Sequence, residues 1–500
     1  MGAELGAYNN IYAFLYMKTL KNYIGGRFLS PLSNKYLDNY CPSTGKVYSF
    51  VPNSSSKDVD LAILAAREAF SSWSLATKEF RYGWMMKLAD AIDEGADKLV
   101  AAESLDNGKP EWLAKSVDIP RSAANIRFFA TAILHFDSKS HNMDGEALNY
   151  TLKQPIGVAG CISPWNLPLY LLTWKIAPAI AVGNTVVAKP SEVTPLTAYL
   201  FSKICNRIRF PKGVINIVHG DGKTVGASVV KKSDVISFTG GTETGRAVAV
   251  GAAKGFKKCS LELGGKNPTV IFSDCNFSLA VKSAVKSAFL NQGEICLCGS
   301  RIFVEEKIHN QFLSSFLEET LSLTVGDPKN KNSNLGAIVS KKHLESILLK
   351  IKQAKKRGAK ALCGGKRIIL SGRLSGGYYM EPTVLTHTKY NDPINMEEVF
   401  GPVVTIIPFK KESELIKMCN HVSYGLSAAI FSENISKANR LAAKIDAGVV
   451  WLNTWLLRDL RIPFGGMKHS GLGREGGYNS LNFFTESKNV CFKIEKDSNK

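Results

Sequence analysis

The sequence predicts an α/β protein built from two parallel-sheet units, on three observations. From about residue 150 onward, short β-branched runs alternate with helical stretches, the pattern of right-handed crossovers on a parallel sheet. The alternation restarts near "LELGGKNP" (261–268), so there are two such series. The chain has 500 residues, 45% hydrophobic and 21% charged, which is enough to bury a large core without staples.

Taken in order, the first 20 residues read as an extension outside the fold. Their apolar run, Ile11 to Tyr16, is short for a signal core and follows no positive residue. Gly2 opens a myristoylation-like start, but position 6 is Gly rather than Ser or Thr. Helical patterns over 55–74 and 81–110 dominate the region before residue 150. The first strand series is "GVAGCIS" (157–163), "TVVAK" (185–189), "GVINIV" (213–218) and "VISFTG" (235–240). The second is "TVIFSD" (269–274), "SRIFVEE" (300–306), "VTIIPF" (404–409), "AAIFS" (428–432) and "GVVWLN" (448–453), with helices over 309–323 and 435–445. Segments 131–156 and 480–496 fit neither series and read as projecting strands that pair with each other or with another chain. No short tandem repeat is visible.

The stretch 167–188 is 22 residues long with Lys175 as its only charge, enough to cross a bilayer. Pro168, Pro178, Gly183 and Asn184 interrupt it, so it reads instead as a buried helix followed by a buried strand. The formal net charge is +20, but the basic residues are scattered, with clusters at 352–360 and 329–332 and no nucleic-acid-binding signature. The expectation is a solvated basic surface whose field draws acidic substrates, with neither nucleic acid nor membrane as partner. The ten cysteines are dispersed and read as reduced, intracellular thiols.

Four motifs carry chemistry. "LNQGEICLCGSRIFV" (290–304) places Cys296 and Cys298 two residues apart. No second Cys or His pair stands nearby to complete a zinc site, so no metal is expected, and a disulfide at this spacing is strained. Two buried thiols or a nucleophile both remain open, and a nucleophile needs something beside it that stabilises the thiolate. "SLELGGKNP" (260–268) puts Glu262 at a strand end before two glycines, where an acid can act as a base. "SPWNLP" (163–168) sets the Asn166 amide after a strand end, where it can hold an oxyanion. "FTGGTETG" (238–245) is a glycine-rich turn opening a helix, which can seat a pyrophosphate although its spacing is not the dinucleotide fingerprint.

"SPWNLP", "AKPSEVTP", "FTGGTETG", "LELGGKNP", "NQGEICLCGSR", "EEVFGP" and "PFGGMKHSGLGREGG" occur in the order of the NAD(P)-dependent aldehyde dehydrogenase superfamily, which the chain resembles from about residue 23 to 488. The resemblance implies the aldehyde dehydrogenase fold: a Rossmann-like NAD-binding domain (21–130 and 157–261), an α/β catalytic domain (262–475) and a small β oligomerisation arm (131–156 and 476–500). It implies Cys296 as the nucleophile, Asn166 with the Cys296 backbone N–H as oxyanion donors, and Glu262 as the base that frees the acid from a thioester. Cys298 falls where the family uses no residue for chemistry. NAD contacts carry over to Ser163, Pro164, Trp165, Lys189, Glu192, Thr239, Gly240, Gly241, Glu398 and Phe400. The acidic Glu192 favours NAD over NADP, and Gly241 stands where a Ser is common. A cytoplasmic homodimer or homotetramer is expected.

The surroundings of Cys296, "DIPRSAANIRFFA" (118–130) and "WLNTWLLRDLRIPFGG" (451–466) look most like the subgroup that oxidises 2-aminomuconate semialdehyde in tryptophan breakdown, through the kynurenine pathway, and its bacterial 2-hydroxymuconate semialdehyde relatives. Such aldehydes carry a distal carboxylate, and Arg121 and Arg458 match the arginines that read it, with Arg127 and Arg461 as near neighbours. The rival substrates are retinal, betaine aldehyde and aliphatic aldehydes. A non-enzymatic structural role, as in lens crystallins of the family, is opposed by intact Cys296, Glu262, Asn166 and Lys189.

Overall fold

The computed structural model describes residues 18–495. Its first sheet runs Gly471–Leu472, Cys259–Glu262, Val235–Thr239, Val158–Ile162, Thr185–Lys189, Ile215–Ile217, Asn22–Ile24, Arg27–Leu29. The five strands from Cys259–Glu262 to Ile215–Ile217 are mutually parallel. The three in the middle are buried at every residue, which is why their sequences are continuous apolar runs rather than alternating ones. The second sheet runs Lys360–Cys363, Thr383–Thr386, Val403–Phe409, Arg301–Glu305, Pro268–Ile271, Ser427–Phe431, Val449–Leu452. All its pairings are parallel except that of the edge strand Lys360–Cys363. Both predicted series are therefore present.

The apolar stretch 167–188 is a buried helix, Pro168–Ala181, leading into the buried strand Thr185–Lys189. Among the described residues no helix is long and apolar enough to cross a membrane. The predicted helix over 81–110 is two helices, Lys78–Glu94 and Ala96–Asn107, because Gly95 leaves helical geometry between them. The second ends at Gly108, with φ +88, where a Cβ would sit 2.7 Å from the Ala337 carbonyl oxygen.

Segments 131–156 and 480–496 do pair with each other. Thr485–Lys493 runs antiparallel to Ala147–Pro155, and Ser140–Met143 completes a three-stranded sheet. Helices Ile119–Leu134 and Gly477–Phe483 occupy the start of each segment. Of the expected extension, residues 1–17 lie outside the described residues. Lys18–Thr19 already pairs with Lys46–Pro52, and Leu20 is buried. The two units interlock where Gly471–Leu472 returns to pair antiparallel with Leu261–Glu262 at the edge of the first sheet.

Candidate active site

In the first sheet Ile162 lies beside Lys189, Phe238 beside Ile162, and Thr239 beside Glu262. The loops leaving these strands place Ser163 to Asn166, Lys189 to Glu192, Thr239 to Gly241 and Glu262 along one rim, the carboxyl edge of a parallel sheet, where ligands bind in open α/β folds. Cys296 arrives from the other unit. Helix Phe277–Phe289 ends in a tight turn with Asn291, Gln292 and Gly293 at φ 54°, 56° and 69°. Three consecutive left-handed residues are held only where the surroundings over-determine them. The Asn267 amide donates to the carbonyls of Cys296 (2.7 Å) and Cys298 (2.9 Å), and the Trp455 indole donates to that of Leu297 (3.0 Å).

A cavity of about 880 Å³ is lined by Cys296, Glu262 and Thr239 and also by Arg121, Tyr170 and Arg458. Cys296 faces it; Cys298 is buried in the apolar core of the second unit. Both are free thiols. Arg458 is the neighbour whose charge favours the thiolate. Burial first, then Glu262 and Glu398, push the Cys296 thiol above its ordinary range, and only Arg458 opposes them.

Glu262 Oε1 is buried without a hydrogen-bond partner. Burial, then the Glu475 carboxylate, push its carboxyl well above the usual range. The buried Asn166 amide donates to the Glu294 carbonyl (2.9 Å), and its own backbone carbonyl accepts from Lys109 Nζ (2.9 Å). Sequence reasoning missed two groups here. Glu475 lines the cavity and is ion-paired to Lys175 Nζ at 2.9 Å, and both bond the Ser237 hydroxyl. Lys109 lies between Asp118 (2.9 Å) and Glu103 (3.9 Å). The lone Lys175 in an apolar stretch was the available signal, since a buried lysine demands an acid. Nothing local identifies an acid 300 positions away.

Around the rim, Lys189 Nζ pairs with Glu192 at 2.7 Å, and its carbonyl accepts from Ser163 N (3.2 Å). Pro164 lies between Ser163 and Trp165, whose carbonyl accepts from Asn107 (3.1 Å) and Thr194 (3.2 Å). The hydroxyls of Ser163 and Thr239 are buried without partners. Gly240 N donates to the Glu262 carbonyl (3.0 Å). Gly241 caps helix Thr242–Ala253 with open space where its Cβ would be, so a serine there is tolerated but absent. Trp165 meets Phe400 edge-on at 5.2 Å. Glu398 accepts from Gly265 N (2.8 Å), and burial raises it to about 7. Unpartnered hydroxyls beside an open helix N-terminus and an acid–lysine pair fit a dinucleotide.

The four arginines separate cleanly. Arg461 is bonded to Asp459 (2.6 Å), and Arg127 to Asp90 and Asp93 (both 2.6 Å). Arg121 and Arg458 have no carboxylate within ion-pair distance among the described residues. Arg458 Nη1 donates to the Tyr170 hydroxyl (3.1 Å), and Arg121 lies over the Tyr170 ring (5.5 Å). Arg121 Nε and Nη2 and Arg458 Nε are buried without acceptors. Burial, and the charge of Arg458, pull the Arg121 ionisation down. No group of three or more His, Cys, Asp or Glu able to hold a metal ion occurs among the described residues.

The model of the aldehyde dehydrogenase family matches residues 28–490. The chain is 49% identical to a 2-aminomuconic semialdehyde dehydrogenase of Danio rerio, over 95% of this chain and 98% of that one. It is 41% identical to a 2-hydroxymuconic semialdehyde dehydrogenase of Pseudomonas sp. (strain CF600), over 96% and 100%. An NAD+ complex of an aldehyde dehydrogenase from Bacillus cereus superposes with a TM-score of 0.94 at 38% identity, over 97% and 99%. With the family model matched over residues 28–490 and these relatives covered almost from end to end, the chain belongs to the aldehyde dehydrogenase family.

Proposed function

We propose that this chain oxidises a muconic semialdehyde to the corresponding acid with NAD, the substrate being 2-aminomuconate semialdehyde of tryptophan catabolism. The observation that carries this reading is the pair of guanidiniums without a carboxylate partner, Arg121 and Arg458, each with buried unfilled donors and both lining the cavity that holds Cys296. Their unfilled donors call for a carboxylate at the far end of the aldehyde. The same two charges oppose a quaternary ammonium, which argues against betaine aldehyde. Relatives in vertebrates and bacteria that carry the muconic semialdehyde names support the assignment.

In this reading Cys296 Sγ attacks the aldehyde carbon, and Glu262 Oε1 takes the thiol proton. The Asn166 amide and the Cys296 backbone N–H hold the oxyanion. NAD, when bound, accepts the hydride from that carbon. Glu262 gives the thiol proton up to solvent, then takes one from the water that hydrolyses the thioester, and Cys296 Sγ leaves as the thiolate and is reprotonated. Lys189 and Glu192 hold the adenosine ribose. Ser163, Thr239, Gly240 and Gly241 face the pyrophosphate, and Pro164, Trp165, Glu398 and Phe400 border the nicotinamide end. Residues 21–130 and 157–261 form the NAD-binding domain and 262–475 the catalytic domain. The 131–156 and 476–500 segments join copies into a homodimer or homotetramer in the cytoplasm.

The test is kinetic. Arg121→Ala and Arg458→Ala should each cost about 1.5–3 kcal/mol in kcat/KM for 2-hydroxymuconate semialdehyde and little for a neutral aldehyde of similar size. Equal losses on both substrates would sink the assignment.

A further inference from the structure

Lys109 joins the two regions that the reading above assigns to opposite ends of one substrate. Its ammonium donates to the Asn166 backbone carbonyl at 2.9 Å and to Asp118 Oδ2 at 2.9 Å, with Glu103 Oε1 at 3.9 Å. The side chains of Lys109, Asp118 and Glu103 are fully buried. A lysine in that setting has few alternative positions, because leaving either partner strands a charge out of water. Its backbone is equally constrained. Gly108 before it is pressed against Ala337, and the Lys109 carbonyl accepts from Ser104 Oγ (2.6 Å).

Each partner leads to one end of the substrate. Asn166 carries the amide that faces the aldehyde oxygen. Asp118 closes a π-helical turn, Ala114–Asp118, and the next residue opens helix Ile119–Leu134. Arg121 stands one turn further on, and Asp118 and Arg121 border the same cavity. Single π turns re-aim a helix and concentrate at functional sites. Two short bonds to one ammonium thus connect the oxyanion donor to the start of the helix that aims the carboxylate reader.

We propose that Lys109 is a positioning residue that sets the separation between the Asn166 amide and the Arg121 guanidinium, and so the length of ω-oxo acid the enzyme prefers. This rests on the reading of Arg121 as the carboxylate clamp. An acid of matching length reaches both groups at once; a shorter or longer one reaches only one.

The experiment measures kcat/KM of the full chain with NAD for succinic, glutaric and adipic semialdehydes, against butanal, pentanal and hexanal. It compares wild type, Lys109→Met, Asp118→Asn and Arg121→Ala, with thermal melts to check folding. The number read at each length is the acid-to-neutral ratio. In wild type this ratio peaks at one length. In Lys109→Met and Asp118→Asn the peak flattens, by about tenfold or more, since small misplacements of a binding group cost about that much. Asp118→Asn keeps the side-chain volume and carries the test alone if Lys109→Met does not fold. A uniform loss across all six aldehydes with the peak retained overturns the proposal. If Arg121→Ala abolishes the acid preference while Lys109→Met and Asp118→Asn keep the peak, the clamp stands and the positioning role falls. A wild type with no acid preference at any length removes both.

Discussion

Cys296→Ser lowers turnover by about 10,000-fold or more, whereas Cys298→Ser retains most of it, read as NADH formation from a saturating aldehyde. The two cysteines are separated by one residue, yet the turn at Asn291–Gly293 and the Asn267 amide hold them in opposite settings. Cys296 opens on the cavity and Cys298 packs into the core. A serine hydroxyl at 296 has a far higher pKa than a thiol, and the one cation acting there, Arg458, does not offset that difference. The reverse pattern, with Cys298→Ser inactive and Cys296→Ser active, would place the nucleophile on the wrong sulfur.

Glu262→Gln should lower kcat by about 100- to 10,000-fold, the usual worth of a positioned general base. The pH profile gives a sharper result. Burial raises both the Cys296 thiol and the Glu262 carboxyl, so their reactive, deprotonated forms accumulate as pH rises. The wild-type rate should therefore climb along an alkaline-shifted limb. Glu475 raises Glu262, and Lys175 and Arg458 lower it. Glu475→Gln removes the raising charge and leaves the Lys175 charge unneutralised, so both effects lower Glu262. The ascending limb of kcat against pH should move to lower pH in that variant. A limb that stays in place, or moves up, would show that Glu475 does not act on the base.

What the sequence disclosed and what it hid follow from how local each cause is. Buried parallel strands are predominantly apolar, so Val158–Ile162 and Thr185–Lys189 were legible as short apolar, β-branched runs. Glycines that a turn requires marked the rim. The break within the helical segment 81–110 was not legible because a single glycine, Gly95, weighs little against so long a helical run. The four arginines were indistinguishable until their partners were visible: Arg461 finds its acid two residues away, and Arg458 finds only a phenol. The Lys175–Glu475 and Lys109–Asn166 contacts join distant segments and leave no periodic trace. The contrast between Cys296, which opens on the cavity, and the buried Cys298 was likewise invisible, since burial comes from packing and not from the residues next in line.

The returning strand Gly471–Leu472 makes the two units inseparable as folding units. A chain cut after residue 262 would leave the Cys259–Glu262 edge with unpaired backbone groups open to another sheet. It would also strand the Lys175 ammonium, buried without its carboxylate, inside the cofactor half. The returning strand thus closes the catalytic edge of the first sheet, and calorimetric unfolding should be one cooperative event rather than two.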